Sequence, residues 1–156
     1  MSLAGRVDAL ALRVGQEIKA VRAEGGGGGG LPLRQSVTYT TASLTTGARE
    51  VGTVTLGSAW RLFSVSTSRA ARVRLYDTVT HRDADVNRSR TTSPDIATNH
   101  GVLLDMALPA AALALGCSPV VDGIVVGGGS AAPITIDNLG AAGTVAVTFT
   151  FVKAEG

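Results

Sequence analysis

The chain has 156 residues, enough for one domain of ordinary size plus an appendage. Hydrophobic residues make up 45% of it and charged residues 17%, a balance apolar enough to fold and too poor in charge for generic disorder. The formal charge of +2 argues against a dedicated nucleic-acid binder, and the single cysteine, Cys117, excludes an internal disulfide and a thiolate metal cluster.

The first predicted element is a helix over residues 1–24. Ser2 suits the N-cap, no proline interrupts, and Leu3, Val7, Leu10, Val14, Ile18 and Val21 follow one another at steps of three and four, which draws one apolar stripe along a helix. Leu3 and Val14, Val7 and Ile18, and Leu10 and Val21 are each eleven apart, about 3.67 residues per turn, so helices packed on this stripe would run nearly straight or coil slightly right-handed. Arg6, Arg13, Gln16 and Lys19 occupy the opposite face. A lone helix of roughly 33 Å is marginal in water and its stripe needs a partner. The simplest partner is another copy, preferably in a trimer; docking on a different protein or on the chain's own body is the alternative.

Residues 25–35 read as a linker. Six consecutive glycines, Gly25 to Gly30, have no side chains to pack and the greatest backbone freedom. A phosphate-binding loop would need a preceding strand and a Lys-Ser/Thr pair after the last glycine, whereas a predicted helix precedes and Leu31-Pro32-Leu33 follows.

Residues 36–156 read as about eight short strands separated by turn signals. In chain order these are "SVTYTTASL", "REVGTVTLG", "WRLFSVS", "ARVRLYD", "GVLLDMAL", "LALGCSPVVDGIVV", "APITIDNL" and "GTVAVTFTFV". The fourth puts Arg72 and Arg74 on one face and Val73 and Leu75 on the other; the last alternates Val145, Val147, Phe149 and Phe151 against Thr144, Ala146, Thr148 and Thr150. Between the fourth and fifth strands a polar stretch includes "HRDADVNRS", with one helical turn capped by Thr80 and an acidic first turn at Asp83. The expected fold is mainly β: an antiparallel, jelly-roll-like β-sandwich. Its threonine-rich faces suit sheets packed side by side in an oligomer.

Chemistry is sparse in this pattern. Neither His81 nor His100 lies beside a recognisable nucleophile motif, G-x-S-x-G does not occur, and Cys117 falls inside an apolar strand as a small hydrophobe would. Asp83, Asp85 and Asn87 form the opening of a calcium loop, but its sixth and twelfth places hold Arg88 and Pro94 instead of Gly and Glu. The expectation is a non-enzymatic protein without catalytic residues, bound metal or cofactor; a calcium-assisted carbohydrate-binding module and a small histidine-dependent hydrolase are the other readings.

Charge is unevenly placed. Twelve of the fourteen basic residues are arginine, none follows Arg90, and beyond it Lys153 alone stands against Asp95, Asp105, Asp122, Asp137 and Glu155. A basic middle and an acidic last third suit head-to-tail or subunit-to-subunit contacts as well as they suit nucleic acid. Trp60, Arg72, Arg74, Arg82, Arg88 and Arg90 are the candidate surface-binding residues, for host glycans or neighbouring subunits; the scarcity of stacking aromatics argues against nucleic acid as the ligand. Arg6, Asp8 and Arg13 break up any signal-peptide core, and no run approaches the roughly 18 apolar residues of a membrane span. A protein made in a cytoplasm, without membrane insertion, is expected.

Together, "MSLAGRVDALALRVGQEIKAVRAE" at the start and "GTVTLGSAWRLFSVSTSRAARVRLYDT", "HRDADVNRSR" and "HGVLLDM" in the body resemble small virion structural proteins of tailed phages infecting actinobacteria, of the minor tail, fibre or head-fibre type. The resemblance spans nearly the whole chain, and its motifs are structural. It implies a trimer assembled in the host cytoplasm into the virion, with a three-helix bundle docked on other tail or capsid proteins and three β-sandwiches facing outward. A tail-tip or side fibre touching host surface glycans is the expected role, with a capsid decoration protein as the alternative.

Overall fold

The computed structural model describes residues 33–94 and 101–154. The expected helix over 1–24 with its stripe from Leu3 to Val21, the linker up to Pro32, and His100 lie outside the described residues. The strands appear where alternation placed them: β1 (Gln35–Thr40), β2 (Arg49–Thr55), β3 (Ala59–Thr67), β4 (Ala71–Tyr76), β5 (Val102–Leu108), β6 (Ala114–Ile124), β7 (Ala131–Asn138) and β8 (Ala146–Lys153). One short helix, α1 (Val79–Asp85), falls between β4 and β5.

These strands form a mainly β structure of two antiparallel four-stranded sheets, ordered β1-β8-β3-β6 and β2-β7-β4-β5, which face each other as a β-sandwich. Alternation sets which side chains enter. On β8, Val147, Phe149 and Phe151 are buried while Thr148 and Thr150 between them are only half-covered. Leu62 and Val65 of β3 join them from the first sheet, and Val73, Leu75, Ile134 and Ile136 from the second. Each such side chain contributes about 1.5–3 kcal/mol by leaving water. With few aromatics, this core is mostly Val, Leu and Ile.

The outer face of the first sheet is lined by small hydroxyl residues. Ser36 and Thr38 on β1 stand opposite Thr150 and Thr148 on β8, and their hydroxyls lie 3.3 and 2.8 Å apart. Ser64 and Ser66 of β3 continue the same rows. The two sheets are tied together at the β1–β2 side: the Tyr39 hydroxyl donates to Glu50 at 2.7 Å, and Glu50 also accepts from the Ala42 amide at 2.9 Å. Gly52 of β2 leaves the space that the Tyr39 ring fills.

The helix starts two residues earlier than expected. Thr78, with an extended backbone, is its N-cap, and its hydroxyl accepts from the His81 amide at 3.1 Å; Thr80 is inside the first turn. Asp83 consequently sits past the first turn, which holds no acidic residue. The extended backbone of Thr78, after the bend at Asp77 that ends β4, decides this, because a cap needs non-helical backbone before the first turn.

Candidate functional site

The second sheet buries both of its faces at β4. Val73 and Leu75 enter the core; Arg72 and Arg74 point outward and are nevertheless buried. Paired residues across an antiparallel sheet share a face, and the pairs Arg72–Asp137, Arg74–Asp105 and Arg49–Asp137 therefore collect opposite charges on this outer side. Helix α1 and residues 86–94 then fold back over it.

The result is an unbroken alternation of charge: Arg49, Asp137, Arg74, Asp85, Arg88, Asp105, Arg72. Arg49 Nε donates to Asp137 at 2.5 Å, and the other Asp137 oxygen accepts from Arg74 Nη2 at 3.0 Å. Arg74 Nη1 reaches Asp85 at 3.1 Å. Arg88 grips both Asp85 oxygens, at 2.6 and 2.9 Å, and Asp105 at 2.9 Å. Arg72 closes the row with two bonds to Asp105, at 2.6 and 2.7 Å, and donates as well to the carbonyls of Ser89, Arg90 and Thr92. The Tyr76 hydroxyl adds a fourth donor to Asp85 at 2.6 Å.

Protonation states follow from this geometry. Burial pushes the Asp85 carboxyl up, but hydrogen bonds from Arg88 and Tyr76 and the charges of Arg88 and Arg74 outweigh it and hold the group down at about 2. Asp105 is likewise held below the ordinary carboxylate range, against its burial, by Arg72 and Arg88. The Tyr76 phenol is pushed up to about 12 by burial and by donating to Asp85. Breaking such a pair by removing one partner costs far more than the pair contributes over an apolar replacement, because a charge is left buried alone. The row holds α1 and residues 86–94 on the sheet, every carboxylate in it is paired with arginine, and only Arg74 Nε is left buried without a partner.

This corrects most of the expected binding surface. Trp60 is 1% exposed, inside the core, and offers no ring face to a sugar. Arg72 and Arg74 are buried, and the Arg88 side chain nearly so. Arg82 is half-covered, donating to the neighbouring Asp83 at 2.7 Å and to the Gly52 carbonyl at 3.3 Å. Of the six, Arg90 alone is exposed, with its guanidinium lying against Gly47. The calcium alternative loses Asp85 to arginine, and among the described residues no group of acidic, histidine or cysteine side chains could hold a metal ion. The residues missed were Arg49, Asp85, Asp105, Asp137 and Tyr76. The available signal was a lone aspartate at an outward position in two apolar strands, "LLDMAL" and "ITIDN", within a chain whose arginines cluster on β4.

His81 Nδ1 lies 2.6 Å from Asp77 at the start of α1. Gly101, with φ of +58°, packs so closely on both side chains that a Cβ there would overlap them. The pair fastens the β4–α1 junction to the strand entering β5. Cys117 packs partly against the core, and burial pushes its thiol up, away from the thiolate a nucleophile needs.

A groove of about 460 Å³ opens at the end of the sandwich where β3 begins and β6 and β8 end. Trp60, Leu103, Ile124 and Val152 line it, and the exposed Arg61–Asp122 pair, at 2.6 and 3.0 Å, and Lys153 stand at its sides. Gly123 is required here, since a Cβ would enter the Trp60 ring. Its size and apolar lining suit an aliphatic or aromatic group rather than an ion. No family model, curated protein or solved structure matches the chain.

Proposed function

We propose that the chain is a non-enzymatic structural protein of a phage virion, a minor tail or tail-tip fibre component. In this reading residues 1–24 form the anchoring helix, the glycines of 25–35 decouple it, and the sandwich faces outward to the host surface or to neighbouring subunits. The sandwich itself is read as a jelly roll, supported by the interleaved strand orders β1-β8-β3-β6 and β2-β7-β4-β5.

The observation that carries the reading is the contrast between the two outer sheet faces. One is covered by α1 and locked by the arginine–aspartate row. The other is left open and lined by Ser36, Thr38, Ser64, Ser66, Thr148 and Thr150, short side chains that let another surface come close to the sheet while still tolerating water. A rigid body with such a face is built for packing beside other subunits. Resemblance to phage tail and fibre proteins supplies the location; a capsid decoration role would use the same architecture.

Electron-microscopy reconstruction of the source particle tests this. Density fitting the sandwich at a tail tip or fibre is expected; density at capsid threefold positions moves the protein to the alternative, and its absence from the particle sinks both. Light scattering of the full chain should give a trimer at micromolar concentration, and a monomer rules out the self-assembling helix.

A further inference from the structure

We infer that the β-domains of neighbouring copies meet through the end of the sandwich at which the chain enters, with the groove over Trp60 as the receiving surface. This rests on the oligomeric reading above and adds where the contact falls.

The register places one set of termini together. Gln35 pairs with Phe151, Ala59 with Ile124, Trp60 with Lys153 and Tyr76 with Val102, and the Val126 amide donates to the Asp77 carbonyl across the two sheets. Leu33, Val79, Ile124 and Val126 therefore lie at this end, 82%, 47%, 61% and 58% exposed. Among the described residues the opposite end exposes one large hydrophobic side chain, Leu139, to a smaller degree. Val51 and Val120 are exposed along β2 and β6, but the most exposed apolar groups gather at this end, beside an apolar groove, and mark a contact surface.

The occupant is a second copy because of where the chain enters. Leu33 leads into β1 at this end, and 32 residues precede it, among them the six glycines. Eight residues, 25–32, can span at most roughly 28 Å, so copies joined through residues 1–24, as the reading above has them, would hold these ends near one another at an effective concentration on the order of millimolar. Charge at this end is mixed: Arg61 is paired with Asp122 and His81 with Asp77, while Arg34, stacked on Phe63, and Lys153 add two more cations, so two like ends present both signs. The Ile124 side chain of one copy, standing out beside Gly123, fits the apolar groove of the next.

The test uses the full chain with Cys117→Ala and a single new cysteine, joined by a short bis-maleimide. Ile124→Cys, with Val126→Cys as a second probe, reports this end; Ala141→Cys, exposed in the β7–β8 connection, reports the other. Inter-chain linkage about tenfold faster at 124 or 126 than at 141 is expected. Equal rates in a chain that light scattering shows to be oligomeric overturn this inference and leave the oligomer standing. A monomer by light scattering overturns both.

Discussion

Asp85 bears more of the structure than any other residue in the row, since four donors converge on one buried carboxylate. Asp85→Asn keeps its shape and removes the charge, leaving Arg74 and Arg88 under-compensated; a loss of about 3–5 kcal/mol is expected, read from the urea midpoint. Arg61→Ala breaks an exposed pair of equally good geometry and should leave the urea midpoint almost unmoved, because water and salt screen it. The same residues set the acid response. Both Asp85 and Asp105 are held below their unfolded value of 3.8, so their contribution is present above that value and is lost as pH falls through their lowered values, about 2 for Asp85. Melting temperature should therefore be level from neutral pH down to about 5 and fall below about 4, with a shallower fall in Asp85→Asn. At the alkaline side the two tyrosines, Tyr39 and Tyr76, are both raised to about 12, Tyr39 by burial and its bond to Glu50. A raised phenol stabilises the fold below its unfolded value of 10.0, and that contribution disappears as pH rises through 12. Phenolate absorbance, with no other tyrosine to obscure it, should stay flat past pH 10 while the protein remains folded.

At the scale of elements, α1 matters as a lid over β4 rather than as a helix. Seven residues are too few to persist alone, so its cap and its buried Asp85 hold it in place. Thr78→Ala should cost about 1 kcal/mol and speed hydrogen exchange at the His81 amide, which loses its acceptor. At β6, Gly123→Ala would drive a methyl into the Trp60 ring; a loss of about 1–3 kcal/mol is expected, with a changed emission from this sole tryptophan. The strands themselves were legible before folding. "TVAVTFTFV" alternates without a break, and a half-buried strand writes that period directly. The helix was legible as a single turn but misplaced by two residues, because the extended backbone of Thr78 depends on how β4 ends.

For the whole molecule, the uneven charge along the chain acquires a second meaning. The basic middle and acidic last third were expected to meet between subunits; within the described residues Arg49, Arg72, Arg74 and Arg88 meet Asp105 and Asp137 inside one subunit. What remains outward is the hydroxyl-lined sheet face, the exposed Arg90, and the apolar end at Leu33 and Ile124. Self-association of the intact chain should accordingly depend little on salt, since Arg49, Arg72, Arg74 and Arg88 are paired inside one subunit and cannot reach a neighbour. Light scattering at low and high ionic strength checks this: dissociation at high salt would return the inter-subunit role to the arginines.

The sequence by itself determined the mainly β class, the succession of strands and, where alternation is unbroken as in β8, which side of a strand enters the core, because period-two alternation records that much locally; in β3 a bulge between Leu62 and Ser64 brings Leu62 and Val65, which alternation sets on opposite faces, into the same core. It could not say that Arg72 and Arg74 lie under cover. Alternation assigns a side chain to a face and carries no information on what later crosses that face. Only the tertiary structure, by folding α1 and residues 86–94 back across β4 and setting Asp105 and Asp137 on adjacent strands, turned an apparent basic surface into a closed interior row.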